Sequence, residues 1–148
     1  MSALEPLFRL LNVNVTELAQ TEHQLLDAWC FAYVCAELKD YFRQQYHDYL
    51  HLLKLTPEQE ENMLEANLAR MLIQDILATE EYTITGIAYY TNTHADIIDE
   101  VMMGCNTNPS ALLFRKLVEL HGAVRRELYR TLLKKALGNG IRETSENI

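Results

Sequence analysis

The stretch ITGIAYYTNTHADIIDEVMMGCNTNPS, residues Ile84 to Ser110, decides the interpretation of this sequence. Its pattern predicts two short helices joined by a tight turn. The turn falls at residues 91–93, Thr-Asn-Thr, because these residue types favour caps and turns over helix interiors. Apolar residues at helical spacing define one face on each side of the turn. They are Ile87 and Ala88 before the turn, and Ile97, Ile98 and Val101 after it.

A glycine and an Asn-Pro pair close the stretch. Gly104 suits the left-handed conformation that ends a helix. Asn108 as cap and Pro109 in the first helical position are expected to open one long helix that runs to about Leu137. Gly138-Asn139-Gly140 is expected to end that helix before a loose tail.

These residues resemble the DNA-binding helix-turn-helix of the phage-repressor class, over roughly Thr83 to His121. With Ile84 as the first of twenty motif positions, Ala88 is the small residue at which the two helices touch. The family usually follows the motif with a glycine and a Pro-Ser helix start. The other matching residues are Ile98, Val101, Gly104, Pro109 and Ser110.

The resemblance implies a transcriptional regulator that binds double-stranded DNA, as a homodimer whose half-sites lie about one DNA turn apart. The second helix would enter the major groove, so its first residues would face base edges. Hydroxyl, amide and basic side chains nearby would contact phosphate. The expected DNA-binding residues are Thr83, Thr85, Thr93, His94, Ala95, Asn106, Arg115 and Lys116.

The second helix departs from that family in its charge. It carries Asp96, Asp99 and Glu100 and has no Arg or Lys. Carboxylates accept hydrogen bonds from cytosine but are repelled by phosphates. Two interpretations therefore stay open: DNA binding dominated by backbone contacts, or a helical protein-interaction module (an adaptor or inhibitor) that retains the motif as a scaffold.

Composition predicts an all-α, multi-helix bundle. The chain has 148 residues, 49% of them hydrophobic, with only 5 Gly and 3 Pro. No apolar run approaches the length of a membrane span. The start of the chain has no early positive region and carries Glu5, which argues against a secretory signal. Cys30, Cys35 and Cys105 form no CxxC pair, which favours buried or half-buried reduced thiols in a cytoplasmic protein.

The charge is polarised along the chain. The formal net charge is −8, yet residues 1–109 hold 5 basic and 17 acidic residues, whereas residues 110–142 hold 8 basic and 2 acidic ones. Such a chain can present one basic surface to DNA while the acidic part is repelled. A solvated last helix explains the same charges equally well.

The remaining sequence predicts three parts: an N-terminal helical part for dimerisation or partner binding (1–54), a helical domain (55–138) with the helix-turn-helix at 84–103, and a loose tail (139–148). A short helix is expected at 3–12. Residues 15–53 form either one long helix or two that meet near Asp40. Thr56-Pro57 followed by Gln59 predicts a capped helix that runs to about Ala78.

The only enzyme-like pattern is His47-Asp48-Tyr49-Leu50-His51. Two histidines four residues apart on a helix can share a metal, and the pattern resembles the zincin HExxH with Asp in place of Glu. No third ligand follows at a family spacing, and the simpler interpretation is two surface histidines. We therefore expect no catalytic activity, metal or cofactor.

Overall fold

A computed structural model describes residues 20–135. Within that range all regular structure is helical, which confirms the predicted all-α fold. The predicted helix at 3–12 and the tail at 139–148 lie outside the described residues. The helices are α1 (Gln20–Gln45), α2 (His47–Leu53), α3 (Pro57–Ala78), α4 (Ile84–Thr91), α5 (Ala95–Met102), α6 (Ala111–Val124) and α7, helical from 126 to the end of the described range at 135.

The chain divides into two compact units. Of the described residues, 20–37 and 125–135 belong to the first unit, and the second is Leu38–Val124. The boundaries at 37/38 and 124/125 differ from the division at residues 54/55 that the sequence suggested. Helix α1 runs from the first unit into the second.

The segment before Thr56 forms two helices rather than one, and they meet at Tyr46 instead of near Asp40. Tyr46 leaves helical geometry with φ −102° and ψ 20°. Its amide still donates to Phe42 O at 2.9 Å, and its carbonyl accepts from the Leu50 amide at 2.9 Å. The chain therefore bends at Tyr46 without losing those two hydrogen bonds.

Helix α3 begins and ends as its sequence predicts. The Gln59 amide donates to Thr56 Oγ1 at 3.2 Å, and the Thr56 amide donates to Gln59 Oε1 at 3.0 Å, so the capping box is complete. Pro57 occupies the first helical position, where its missing N–H costs nothing.

The core of the second unit is built on α3. Helix α3 packs against α5 and α6, and α4 packs against the same two helices. Apolar side chains at helical spacing meet in this core, as the stripes in the sequence predict. The fully buried ones include Leu64, Leu72, Ile73, Ile76, Ile87, Ile98, Leu117 and Leu120.

The helix after the motif corrects two expectations. It starts at Ala111, not at Pro109, because the Ser110 hydroxyl caps it by accepting from the Leu113 amide at 3.1 Å. It also ends at Val124, and Arg125 separates it from α7. The Arg125 carbonyl accepts from the Tyr129 amide at 3.2 Å, as the first turn of the new helix.

In the first unit, the described parts are residues 20–37 and 125–135. Cys30 and Val34 are buried on α1, and Tyr129 and Leu133 are buried on α7. The Lys135 ammonium lies 3.5 Å from Glu37, which is an ion pair within this unit. None of the described helices is long and apolar enough to cross a membrane.

Candidate functional site

Helix α4 is fixed at its start by a hydroxyl cap and along one face by burial. Thr83 precedes the helix in an extended conformation, and its Oγ1 accepts from the Gly86 amide at 3.1 Å. Ile87 and Ala88 are buried. Thr91 is buried too, and its hydroxyl donates to Ile87 O at 2.8 Å. The polar group of Thr91 is thereby satisfied inside the apolar contact.

The turn between α4 and α5 is a left-handed cap. Asn92 has φ 52° and ψ 45°, which Asn tolerates better than most residues. The Thr93 amide donates to Ala88 O at 2.9 Å and the Asn92 amide donates to Tyr89 O at 3.2 Å. These two bonds form a Schellman motif, which ends α4 and starts the chain toward α5.

Helix α5 repeats this construction. His94 caps it, with Nδ1 accepting from the Asp96 amide at 3.2 Å. Gly104, at φ +77°, ends it, and the Cys105 amide donates to Glu100 O at 2.9 Å. Ile98 and Val101 are buried, as expected for the inner face of the second motif helix.

The exposed face of α5 is acidic. Asp96, Asp99 and Glu100 are exposed, and the Asp96 side chain is 81% exposed. No Lys or Arg occurs between residues 71 and 114. The surface that would meet a major groove therefore carries three carboxylates and the single imidazole of His94.

The predicted DNA-binding residues lie at two helix N-termini, in the loop after α5 and on α6. Thr83 and Thr85 are exposed at the start of α4, and Thr93, His94 and Ala95 are consecutive at the start of α5. Asn106, in the loop after α5, is half-buried, and its Oδ1 accepts from the Asn108 amide at 3.1 Å. The structure thus gathers five of the eight residues at two helix N-termini. The two basic ones are Arg115 and Lys116, both half-buried on α6, which packs against α4.

The surroundings of Lys116 limit its role. Its ammonium lies 3.9 Å from Glu119. The same carboxylate also faces Tyr90 on α4, and burial, with that charge as the second cause, raises the pKa of Tyr90 to about 12. Glu119 is therefore shared between a cation and a protonated phenol.

Two other cations of the second unit are already paired. Lys39 donates to Glu61 at 2.7 Å, and Arg43 donates to Glu60 at 3.0 Å. Arg43 also reaches Glu61 at 2.5 Å. The hydrogen bond from Lys39 is the main cause that lowers the pKa of Glu61. These contacts join α1 to α3 and leave both cations poorly placed to hold phosphate.

Residues that the sequence pattern did not single out flank the motif. Tyr89 is 90% exposed at the end of α4, and Met103 is 75% exposed at the end of α5. In the sequence, Tyr89 lies between the buried residues Ala88 and Thr91 and outside the apolar face of α4. That position is the sequence signal that could have predicted its exposure. Large exposed apolar side chains beside a motif are typical of contact surfaces.

The histidine pair of the HDYLH pattern has no third potential metal ligand beside it among the described residues. The rings of His47 and His51 lie 6.3 Å apart on α2, and both residues are exposed. In residues 20–135, no group of three or more His, Cys, Asp or Glu side chains could hold a metal ion. Cys30 is buried and Cys35 half-buried, as expected, whereas Cys105 is exposed, contrary to the expectation that all three thiols are buried or half-buried.

Comparisons with protein families, with curated proteins and with solved structures find no match to this chain.

Proposed function

We propose that this chain is a DNA-binding regulator that uses α4, the turn and α5 as a helix-turn-helix. The observation that carries the proposal is the pair of left-handed caps at Asn92 and Gly104. They lie before and after an eight-residue helix that exposes Asp96 and Ile97 in its first turn and buries Ile98 and Val101. This helix packs against α3 and α4. A helix held in this way can enter a major groove by its N-terminal end.

If the chain binds DNA in this way, most of the affinity comes from contacts with the phosphates of the DNA backbone. The N-termini of α4 and α5 offer free backbone N–H groups next to exposed hydroxyl and imidazole side chains, which suit phosphate oxygens. Base contacts from Thr93, His94 and Ala95 would then set sequence preference.

The test is binding to a pool of random duplex DNA, measured by fluorescence polarisation at about 20 mM and about 150 mM salt. Affinity that falls steeply with salt, and is lost in a Thr93→Glu, His94→Glu variant, supports the proposal. A Gln24→Glu, Gln44→Glu variant adds the same two charges at exposed positions of α1 and serves as the matched control. Equal loss in both variants, or no binding at low salt, contradicts it.

A second function is favoured by the charge of the motif surface. The unit Leu38–Val124 holds 13 acidic and 6 basic residues, and the exposed carboxylates of α5 lie between the exposed Tyr89 and Met103. An acidic helix flanked by an aromatic and a methionine side chain suits a basic protein surface. In that case the chain is a helical adaptor or inhibitor, and the DNA experiment gives no salt-sensitive binding.

A further inference from the structure

A pocket of about 470 Å³ lies between the short helix α2 and the middle of α3. Its volume is within the range of small-molecule sites, roughly 300–1,000 Å³. The α3 residues that line it recur every three or four positions from 63 to 74, so they form one face of that helix. Most of the lining is aromatic or apolar: Tyr46, Tyr49, Leu50, Met63 and Met71.

Three polar side chains complete the lining: Asn67, Arg70 and Gln74. The Asn67 amide donates to the Met63 carbonyl at 2.9 Å, and the Tyr46 hydroxyl donates to Gln74 Oε1 at 3.5 Å. The amide nitrogen of Gln74 is therefore still available as a donor. Arg70 is the one charged residue of the lining, and no carboxylate faces it there.

Arg70 stands apart from the other arginines of the described chain. Its Nε is buried without a hydrogen-bond partner, and no described residue forms an ion pair with it. Arg130 Nε is buried in the same way, but the Arg130 guanidinium is paired with Glu127 at 3.3 Å. Arg43, in contrast, faces three carboxylates. A half-buried guanidinium without an acceptor costs free energy, and that cost falls when an anion binds.

The position of the guanidinium is restricted. Arg70 Nη1 lies 3.6 Å from the place where a Cβ would stand on Gly104, at the end of α5. The negative end of the α5 dipole favours a cation at this place. The described chain supplies no hydrogen-bond acceptor for Arg70, and the pocket that Arg70 lines has room for a ligand that brings one.

We propose that this pocket binds a small organic acid with a flat, apolar body and one carboxylate. A carboxylate matches the planar fork of a guanidinium in two hydrogen bonds, and Gln74 adds a third donor. The two tyrosines and two methionines suit an aromatic body. A metal cation finds no carboxylate in the lining, and a polyphosphate finds only one cation. This ligand site goes beyond the proposed DNA binding and does not depend on it.

The probe pair is 1-naphthylacetate and its uncharged analogue 1-naphthylacetamide, titrated into the full chain by calorimetry. The two compounds share the ring system and differ in the charge of the head group. We expect the acid to bind about tenfold more tightly than the amide, or better, because only the acid pairs with Arg70. Equal affinities, or no binding of either compound at millimolar concentration, overturn the proposal.

Methionine methyl NMR locates the bound probe. The methyl signals of Met63 and Met71 should shift on titration, whereas those of Met102 and Met103, which do not line the pocket, should stay in place. Shifts confined to Met103, whose side chain is 75% exposed, would place the probe on the motif surface and overturn the assignment.

Arg70→Gln should abolish the preference for the acid while weak binding of the naphthyl ring persists. Lys54→Gln removes one positive charge at an exposed site outside the lining and should keep the preference. A preference that survives in Arg70→Gln overturns the role of the guanidinium. If Arg70→Gln does not fold, as judged by circular dichroism, the acid–amide comparison on the unmodified chain and the methyl shifts still decide the outcome.

Discussion

His121 Nε2 lies 2.6 Å from Asp75 Oδ2, and both side chains are buried. The residues are 46 positions apart in the sequence, and the contact joins the last turn of α6 to the C-terminal part of α3. The ring of Phe42, from α1, lies 6.2 Å from the imidazole ring. This buried polar pair thus lies where three helices meet, among mostly apolar side chains.

We expect this pair to be the most sensitive polar contact in the second unit. Asp75→Leu or His121→Leu leaves a buried polar partner without its hydrogen bond, and each should lower the free energy of unfolding by about 3–5 kcal/mol. The double variant should cost less than the sum of the two, because each single variant already removes the contact between these two side chains. Urea denaturation followed by circular dichroism measures all three.

The control for the buried pair is His51→Leu on the exposed face of α2, which should change stability by no more than about 0.5 kcal/mol. Single variants of Asp75 or His121 that cost under about 1 kcal/mol would show that the pair does not hold α3 to α6.

The two left-handed helix ends of the motif give a second prediction. Asn92→Val forces a β-branched residue to φ 52° and should cost about 1–2 kcal/mol, whereas Asn92→Gly should be close to neutral. Gly104→Ala should cost about 1 kcal/mol through its φ of +77°, since the added methyl group has room, 3.6 Å from Arg70.

Thermal or urea unfolding of these three variants distinguishes strain from side-chain loss. If Asn92→Gly is as destabilising as Asn92→Val, the asparagine side chain matters and the backbone argument is wrong. A neutral Gly104→Ala variant would likewise contradict the backbone argument, at the second helix end.

The sequence predicted the fold wherever the signal was local. The signals for the start of α3 all lie within four residues, at Thr56, Pro57 and Gln59. That helix has the expected bounds. The residue types at 91–93 also predicted a turn, although Thr91 still belongs to α4 and the chain is non-helical from Asn92 to His94. At Ser110 two local signals competed: Asn108-Pro109 fits a helix start, but the Ser110 hydroxyl is the cap that forms.

Features set by tertiary contacts could not be predicted in this way. Neither Tyr46 nor Arg125 is a helix breaker, yet the chain leaves helical geometry at both. The pairing of Asp75 with His121 joins two helices that are far apart in sequence. The pocket around Arg70 depends on α2 lying beside α3, and the sequence holds no pattern for that placement.

Thiol reactivity provides a third prediction. Burial, helped by the nearby Asp27 carboxylate, raises the pKa of Cys30 to about 11. At pH 8 only about one Cys30 in a thousand is the reactive thiolate, and its burial slows attack further. Cys105 is exposed. With Ellman's reagent at pH 8 we expect one fast phase from Cys105, at least about tenfold faster than the phase from Cys30.

Cys105→Ser should remove the fast phase and leave the slow one. Cys30→Ala should leave the fast phase unchanged, and raising the pH from 8 to 9 should speed the Cys30 phase about tenfold, because its thiolate fraction rises tenfold below the pKa. A fast phase that survives in Cys105→Ser would show that a described thiol other than Cys105 is open to the reagent.

The exposed carboxylates of α5 separate the two proposed functions. Asp99→Asn with Glu100→Gln removes two negative charges from the motif surface without changing side-chain size. If α5 enters a major groove, the repulsion from phosphates falls and binding to random duplex DNA at low salt should tighten by about fivefold or more. If the surface engages a basic protein, the same variant should weaken that complex, mainly through a slower association rate.

The control is a double variant, Glu58→Gln at the start of α3 and Asp48→Asn on α2. Both positions are exposed, so this variant removes two negative charges elsewhere in the same unit. Tightening of equal size in that control would reflect net charge alone and would contradict a role for α5 in DNA binding.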